Sequence, residues 1–83
     1  MNPVYIADHI LRIETEHQGH PSRIADSLRR IADHANLFEP IPDNLTREQQ
    51  QQVRRFIQQF RTTPEGQAAL VQVKQAIAGG YRR

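Results

Sequence analysis

Three groups of residues carry side chains able to do chemistry. The first is His17-Gln18-Gly19-His20, two imidazoles three residues apart, with Glu14, Glu16 and His34 as further donors that could converge on zinc. The spacing straddles the end of a helical pattern, so the two rings need not point together, and no second matched pair completes a tetrahedral set. A structural role fits His17 better. It closes the apolar face of the first helix and, as a cation in the last turn, satisfies the terminal carbonyls. His9 and His34 fall on helix flanks and read as boundary residues. The second group, Ser22 and Ser27, lacks a histidine and an acid in the strained G-x-S-x-G turn that exposes a nucleophile. No glycine-rich loop cradles a phosphate, since Gly79-Gly80 reads as a helix cap. Glu14 and Glu16 lie about 200° apart on a helix, so they cannot act as a facing pair. The chain is therefore expected to be no enzyme and to hold no metal and no cofactor; so small a core also leaves little room for a deep pocket.

The third group is more informative. The stretch EQQQQVRRFIQQFR, Glu48 to Arg61, contains six glutamines and three arginines around Val53, Phe56, Ile57 and Phe60. Arg47, Arg54 and Arg61 recur every seven residues, so on a helix they share one flank, with Gln51 and Gln58 beside them and Arg55 on the outermost line. The row is about 21 Å long at ~1.5 Å per residue. Guanidinium groups pair bidentately with carboxylates or phosphates, and arginine and glutamine can also read base edges. Two kinds of partner follow, an acidic protein surface or a nucleic acid. Against the nucleic acid stand a net charge of only +2, an acidic first half, and no helix-turn-helix spacing or stacking platform. Tyr5 and Tyr81 are the only aromatic residues expected to be exposed. Glutamine and arginine are also good helix formers suited to any solvated face.

Composition narrows the class further. Eighty-three residues suffice for one domain, which buries only about 60–65 % of the surface its unfolded chain exposes. The absence of cysteine removes disulfides and thiolate zinc sites and is compatible with a reducing compartment. The first residues lack the basic start and apolar run of a signal peptide, and no apolar run approaches the length of a membrane span; a cytoplasmic protein is expected. Charge is uneven. Residues 1 to 43 carry seven acidic and four basic side chains, a net −3, whereas the remainder carries seven basic and two acidic, a net +5. The two halves could attract each other, or a second copy.

Four helical patterns must position these groups, and no strand pattern is present. Asn2-Pro3 starts a helix in which Ile6, Ile10, Ile13 and His17 share a face, widened by Val4, Ala7 and Leu11 on an adjoining stripe. Gly19 and Pro21 end it. So wide an apolar arc makes this helix either central to the fold or the seat of a homodimer. The next helix places Ile24, Leu28, Ile31, Ala35 and Phe38 in one arc, with Asp26–Arg30 and Arg29–Asp33 pairs outside. Glu39-Pro40-Ile41-Pro42-Asp43-Asn44 forces an extended connection that Ile41 and Leu45 pin to the core. Thr46 and Gln49 form a capping box before the arginine-rich helix, and Thr63-Pro64-Glu65 starts a fourth helix with Ala69, Leu70, Val73, Ala76 and Ile77 inward.

The expectation is an all-α, small four-helix bundle-like single domain, with helices at about 3–18, 21–38, 47–62 and 64–79. Its core would hold Ile6, Ile10, Ile13, Ile24, Leu28, Ile31, Phe38, Phe56, Ile57, Phe60, Leu70, Val73 and Ile77. Its function would be that of a small regulatory or inhibitory protein binding an acidic protein partner through Arg47, Gln51, Arg54, Arg55, Gln58 and Arg61, of the sort carried by phages or mobile elements. The alternative is a DNA- or RNA-binding regulator using the same stripe.

Overall fold

Three of the four helices begin where a side chain supplies an acceptor for the unpaired amides, and the other starts on Pro21 behind His20 with no side-chain cap. In the computed structural model, which describes residues 1–80, α1 spans Pro3–Glu14, α2 Pro21–His34, α3 Arg47–Thr62 and α4 Pro64–Ala78. Asn2 Oδ1 accepts from the Tyr5 amide at 3.1 Å ahead of Pro3. The Thr46 hydroxyl accepts from the Gln49 amide at 3.1 Å while Gln49 Oε1 accepts from the Thr46 amide at 2.9 Å, closing the capping box. Tyr81, expected from the sequence to be exposed, lies with Arg82 and Arg83 outside the described residues.

Two helix ends come four residues earlier than the periodicity predicts. At Thr15 the hydroxyl takes the Leu11 carbonyl at 2.7 Å, and the His17 amide reaches back five residues to the Arg12 carbonyl at 2.8 Å. The turn widens there, and Gly19 at φ 80° reverses the chain. At the end of α2, Asn36 adopts φ 55°, the Leu37 amide donates to the Ala32 carbonyl and the Asn36 amide to the Asp33 carbonyl. This is a Schellman cap closed by asparagine in place of glycine. Leu37 and Phe38 therefore pack on the core from the connection, not from a helix.

α1 packs chiefly against α2 and α4, and α3 against α4 and α2, so α1 and α3 face each other across the bundle. The wide apolar arc of α1 is used on both sides from within the chain: Ile6, Ala7, Ile10 and Leu11 are all buried, and among its large apolar residues Val4 alone is exposed. Leu28, Ile31, Val53, Ile57, Phe60, Leu70 and Val73 complete the interior, together with Ala32 and Ala69. Ile13, Ile24, Phe38, Phe56 and Ile77, expected in the core, are partly buried at its margin, as are Ile41 and Leu45 from the connection; Ala76 is exposed. Arg29 does not pair with Asp33. Its Nε donates to the Pro42 carbonyl at 2.8 Å, fastening the connection to α2.

A single residue joins α3 to α4. Thr63, extended at φ −83° and ψ 148°, ends one helix and caps the next; its hydroxyl donates to the Phe60 carbonyl at 2.9 Å and accepts from the Gly66 amide at 3.0 Å. A Cβ placed on Gly66 would overlap the Phe60 carbonyl group, a backbone obstacle that cannot rotate away. Gly66→Ala is expected to destabilise the fold by about 2 kcal/mol, within the usual range for overpacking, lowering Tm by roughly 10 °C for a chain of this size. Calorimetry against a control such as Ala68→Gly, at an exposed position of the same helix, checks this.

Candidate protein-binding face

The arginine-rich helix presents its charged side to solvent because Val53, Ile57 and Phe60 are buried beneath it. Arg47, Gln51, Arg54, Arg55 and Gln58 are exposed, and Arg61 is intermediate. Arg54, Arg55, Gln58 and Arg61 converge on one furrow between α3 and α1, with a volume of about 290 Å³. Its floor is Ile10, Ile13 and Ile57, and Glu14 stands on the opposite rim. Arg47 and Gln51 do not line it; they lie nearer the N-terminus of α3.

Arg61 forms an ion pair with Glu14 that ties the end of α3 to the end of α1, with side chains 31 % and 44 % exposed. At that exposure the pair contributes no more than about 1 kcal/mol. Among the described residues it is the one ion pair that joins the acidic half of the chain to the basic half. The others are local: Arg12 bridges Asp8 at 2.9 Å and Glu16 at 3.0 Å, and Arg30 holds Asp26 at 3.1 Å. Arg47, Arg54 and Arg55 have no ion pair with any described residue. Their guanidinium groups are left to water.

A second cluster, which the sequence does not announce, fills the seam between α1 and α2. Tyr5 is half-buried, not exposed, with its ring centroid 4.7 Å from that of His9 and 3.8 Å from that of His34. Its hydroxyl accepts from Arg30 at 3.3 Å. Ser27 does have a histidine neighbour, since its Oγ lies 3.1 Å from His9 Nδ1. Ser27 is only 1 % exposed, and with His9, Asp8, His17 and Arg30 it borders a polar hollow beside α1 and α2. The pairing joins residues eighteen positions apart, which no periodicity reveals. His17 does not cap the last turn of α1: its Nδ1 is buried without a hydrogen-bond partner among the described residues. Among the described residues no three histidine, aspartate or glutamate side chains are placed to hold one metal ion, and no described helix is long and apolar enough to cross a membrane.

No protein-family model, no curated protein and no solved structure matches this chain. The candidate face therefore rests on its own geometry.

Burial lowers the pKa of His9 from its ordinary 6.5, chiefly by desolvation of the imidazolium, with Arg12 and Arg30 adding repulsion that Asp8 and Asp26 partly offset. Below pH 6.5 the unfolded chain binds a proton at this site that the folded chain resists. The contribution of neutral His9 to stability is thus complete above about pH 6.5 and is lost as the pH falls through the lower folded value. Urea midpoints are expected to drop between pH 7.5 and pH 5.5. The drop should shrink in His9→Gln, which keeps a group able to hydrogen-bond Ser27 and does not titrate.

Proposed function

We propose that this is a small non-enzymatic regulatory or inhibitory protein of the cytoplasm that binds an acidic surface of a partner protein through the arginine- and glutamine-bearing side of α3. One observation carries the reading: Arg54 and Arg55 stand side by side in solvent with no ion pair to any described residue. Two unpaired guanidinium groups need break no internal pair to engage a carboxylate, and the planar fork of each lowers the entropy lost per hydrogen bond formed. Arg47 extends the row, Gln51 and Gln58 supply neutral donors and acceptors between the charges, and Arg61 flanks it from its pair with Glu14. The monomer is taken as the binding unit, since α2 and α4 already fill the apolar arc of α1.

The isoleucine floor beside the row favours a protein over a nucleic acid, because a phosphate backbone has nothing apolar to place there, and Glu14 on the facing rim would repel it. The non-enzymatic reading is supported by Ser27, which is 1 % exposed and hydrogen-bonded to His9 and so has little surface to offer a substrate.

The experiment compares wild type with Arg54→Glu/Arg55→Glu as bait in a cytosolic extract, both verified as folded by circular dichroism. Acidic proteins retained by wild type are expected to be lost by the variant, with the affinity of any purified one falling at least tenfold, or about 1.4 kcal/mol. Identical sets of captured proteins would remove the arginine row from consideration. Duplex DNA titrated in parallel is expected to show no binding at physiological salt; a log-log salt slope of about −3 to −4 would transfer the row to phosphate recognition.

A further inference from the structure

The furrow between α1 and α3 combines an apolar floor with a rim of one predominant sign. We propose that it seats an acidic amphipathic segment of the partner, with one large apolar side chain laid over Ile10, Ile13 and Ile57 while flanking carboxylates engage Arg54 and Arg55. This rests on the reading of α3 as a protein-binding face and adds the chemistry of what that face accepts.

Size sets the first limit. A dry cavity of about 150 Å³ holds a benzene, so a furrow of about 290 Å³ has room for one leucine- or phenylalanine-sized side chain and the start of a neighbour. The floor is solid: Ile10 is 1 % and Ile57 9 % exposed, and Ile13, at the margin of the core, offers the uncovered apolar surface. The hydrocarbon stems of Arg54, Arg55 and Arg61 wall one side and can close over an anchor while their charged ends remain in water.

Charge sets the second limit. The rim carries three guanidinium groups and the single carboxylate of Glu14. A carboxylate from the partner that displaced Glu14 from Arg61 would give up one ion pair for another, so Arg61 adds little. Arg54 and Arg55 lose no internal pair on engagement and supply the net gain. Glu14 in turn rejects acid on the α1 side of the furrow. The segment that fits is therefore acidic along its α3 edge only, with neutral or basic residues toward α1.

A displayed library of random twelve-residue peptides, panned on the intact protein, tests this. Enriched peptides are expected to share a large aliphatic or aromatic residue within a few positions of two or more acidic ones. Their affinities, measured by fluorescence anisotropy, should fall at least tenfold on Arg54→Glu/Arg55→Glu and at least fivefold on Ile13→Glu. Gln58→Trp, an exposed position whose indole would cover the floor without altering charge, should cost as much and serves if Ile13→Glu does not fold. Replacing the apolar anchor of a peptide with alanine should match these losses. Peptides that respond to the arginine reversal but not to Ile13→Glu or Gln58→Trp would overturn the furrow and leave the arginine face standing. Indifference to all three variants would overturn both. Enrichment of peptides without an apolar anchor, or none above a charge-matched control library, would overturn the furrow.

Discussion

Burial of α1 on two sides is the constraint from which the rest of the architecture follows. A chain this short has few large apolar side chains, and it concentrates them by making one helix serve two interfaces, with Ile6, Ala7, Ile10 and Leu11 all inside. Once α2 and α4 have taken those two sides, α3 can pack only against α2 and α4. It stands opposite α1 with the margin of the core, Ile13, between them. The furrow is thus a product of the packing, and the arginine row borders it because Val53, Ile57 and Phe60 fix the rotation of α3.

The charge asymmetry of the sequence persists in the folded chain. Opposite charges are mostly matched one helical turn apart, as in Asp8–Arg12–Glu16 and Asp26–Arg30, which leaves little acid to cross over to α3. Glu14 alone reaches it among the described residues. Among the described residues, then, only the Arg61–Glu14 pair ties the seven-residue arginine row to the acidic half. What the spacing does is hold like charges on one line in water, a mildly unfavourable arrangement for an isolated domain.

Legibility divided along a physical line. Helix starts could be read because their chemistry is local: Asn2-Pro3, Thr46 with Gln49, and Thr63-Pro64 each place an acceptor within three residues of the amide it serves. Helix ends were harder. The apolar rhythm of α2 runs on through Ala35 and Phe38, and only the asparagine at position 36, able to adopt a left-handed conformation, marks the true stop. The Thr15 widening has still less signature, because a hydroxyl taking a carbonyl four residues back is compatible with a continuing helix. In the candidate site the exposed arginines and glutamines were evident from spacing, as a helix maps spacing directly onto a face. The other half was not: Ile10, Ile13 and Glu14 meet α3 across the bundle, and Ser27 meets His9 over eighteen residues, so both depend on how helices cross. Arg29 illustrates the same limit, since a helical neighbour at the favoured spacing lost to a carbonyl brought in by the connection.

The Thr63 corner has a consequence for how such a protein can change. With one residue between α3 and α4, and Gly66 pressed against the Phe60 carbonyl, the elbow is tight; a residue inserted within the first turn of α4 would rotate the rest by about 100° and swing Leu70 and Val73 away from the interior. The angle at which α3 is offered is therefore frozen. Changes to the charged side of α3 must therefore come from its own residues and not from a longer connection to α4.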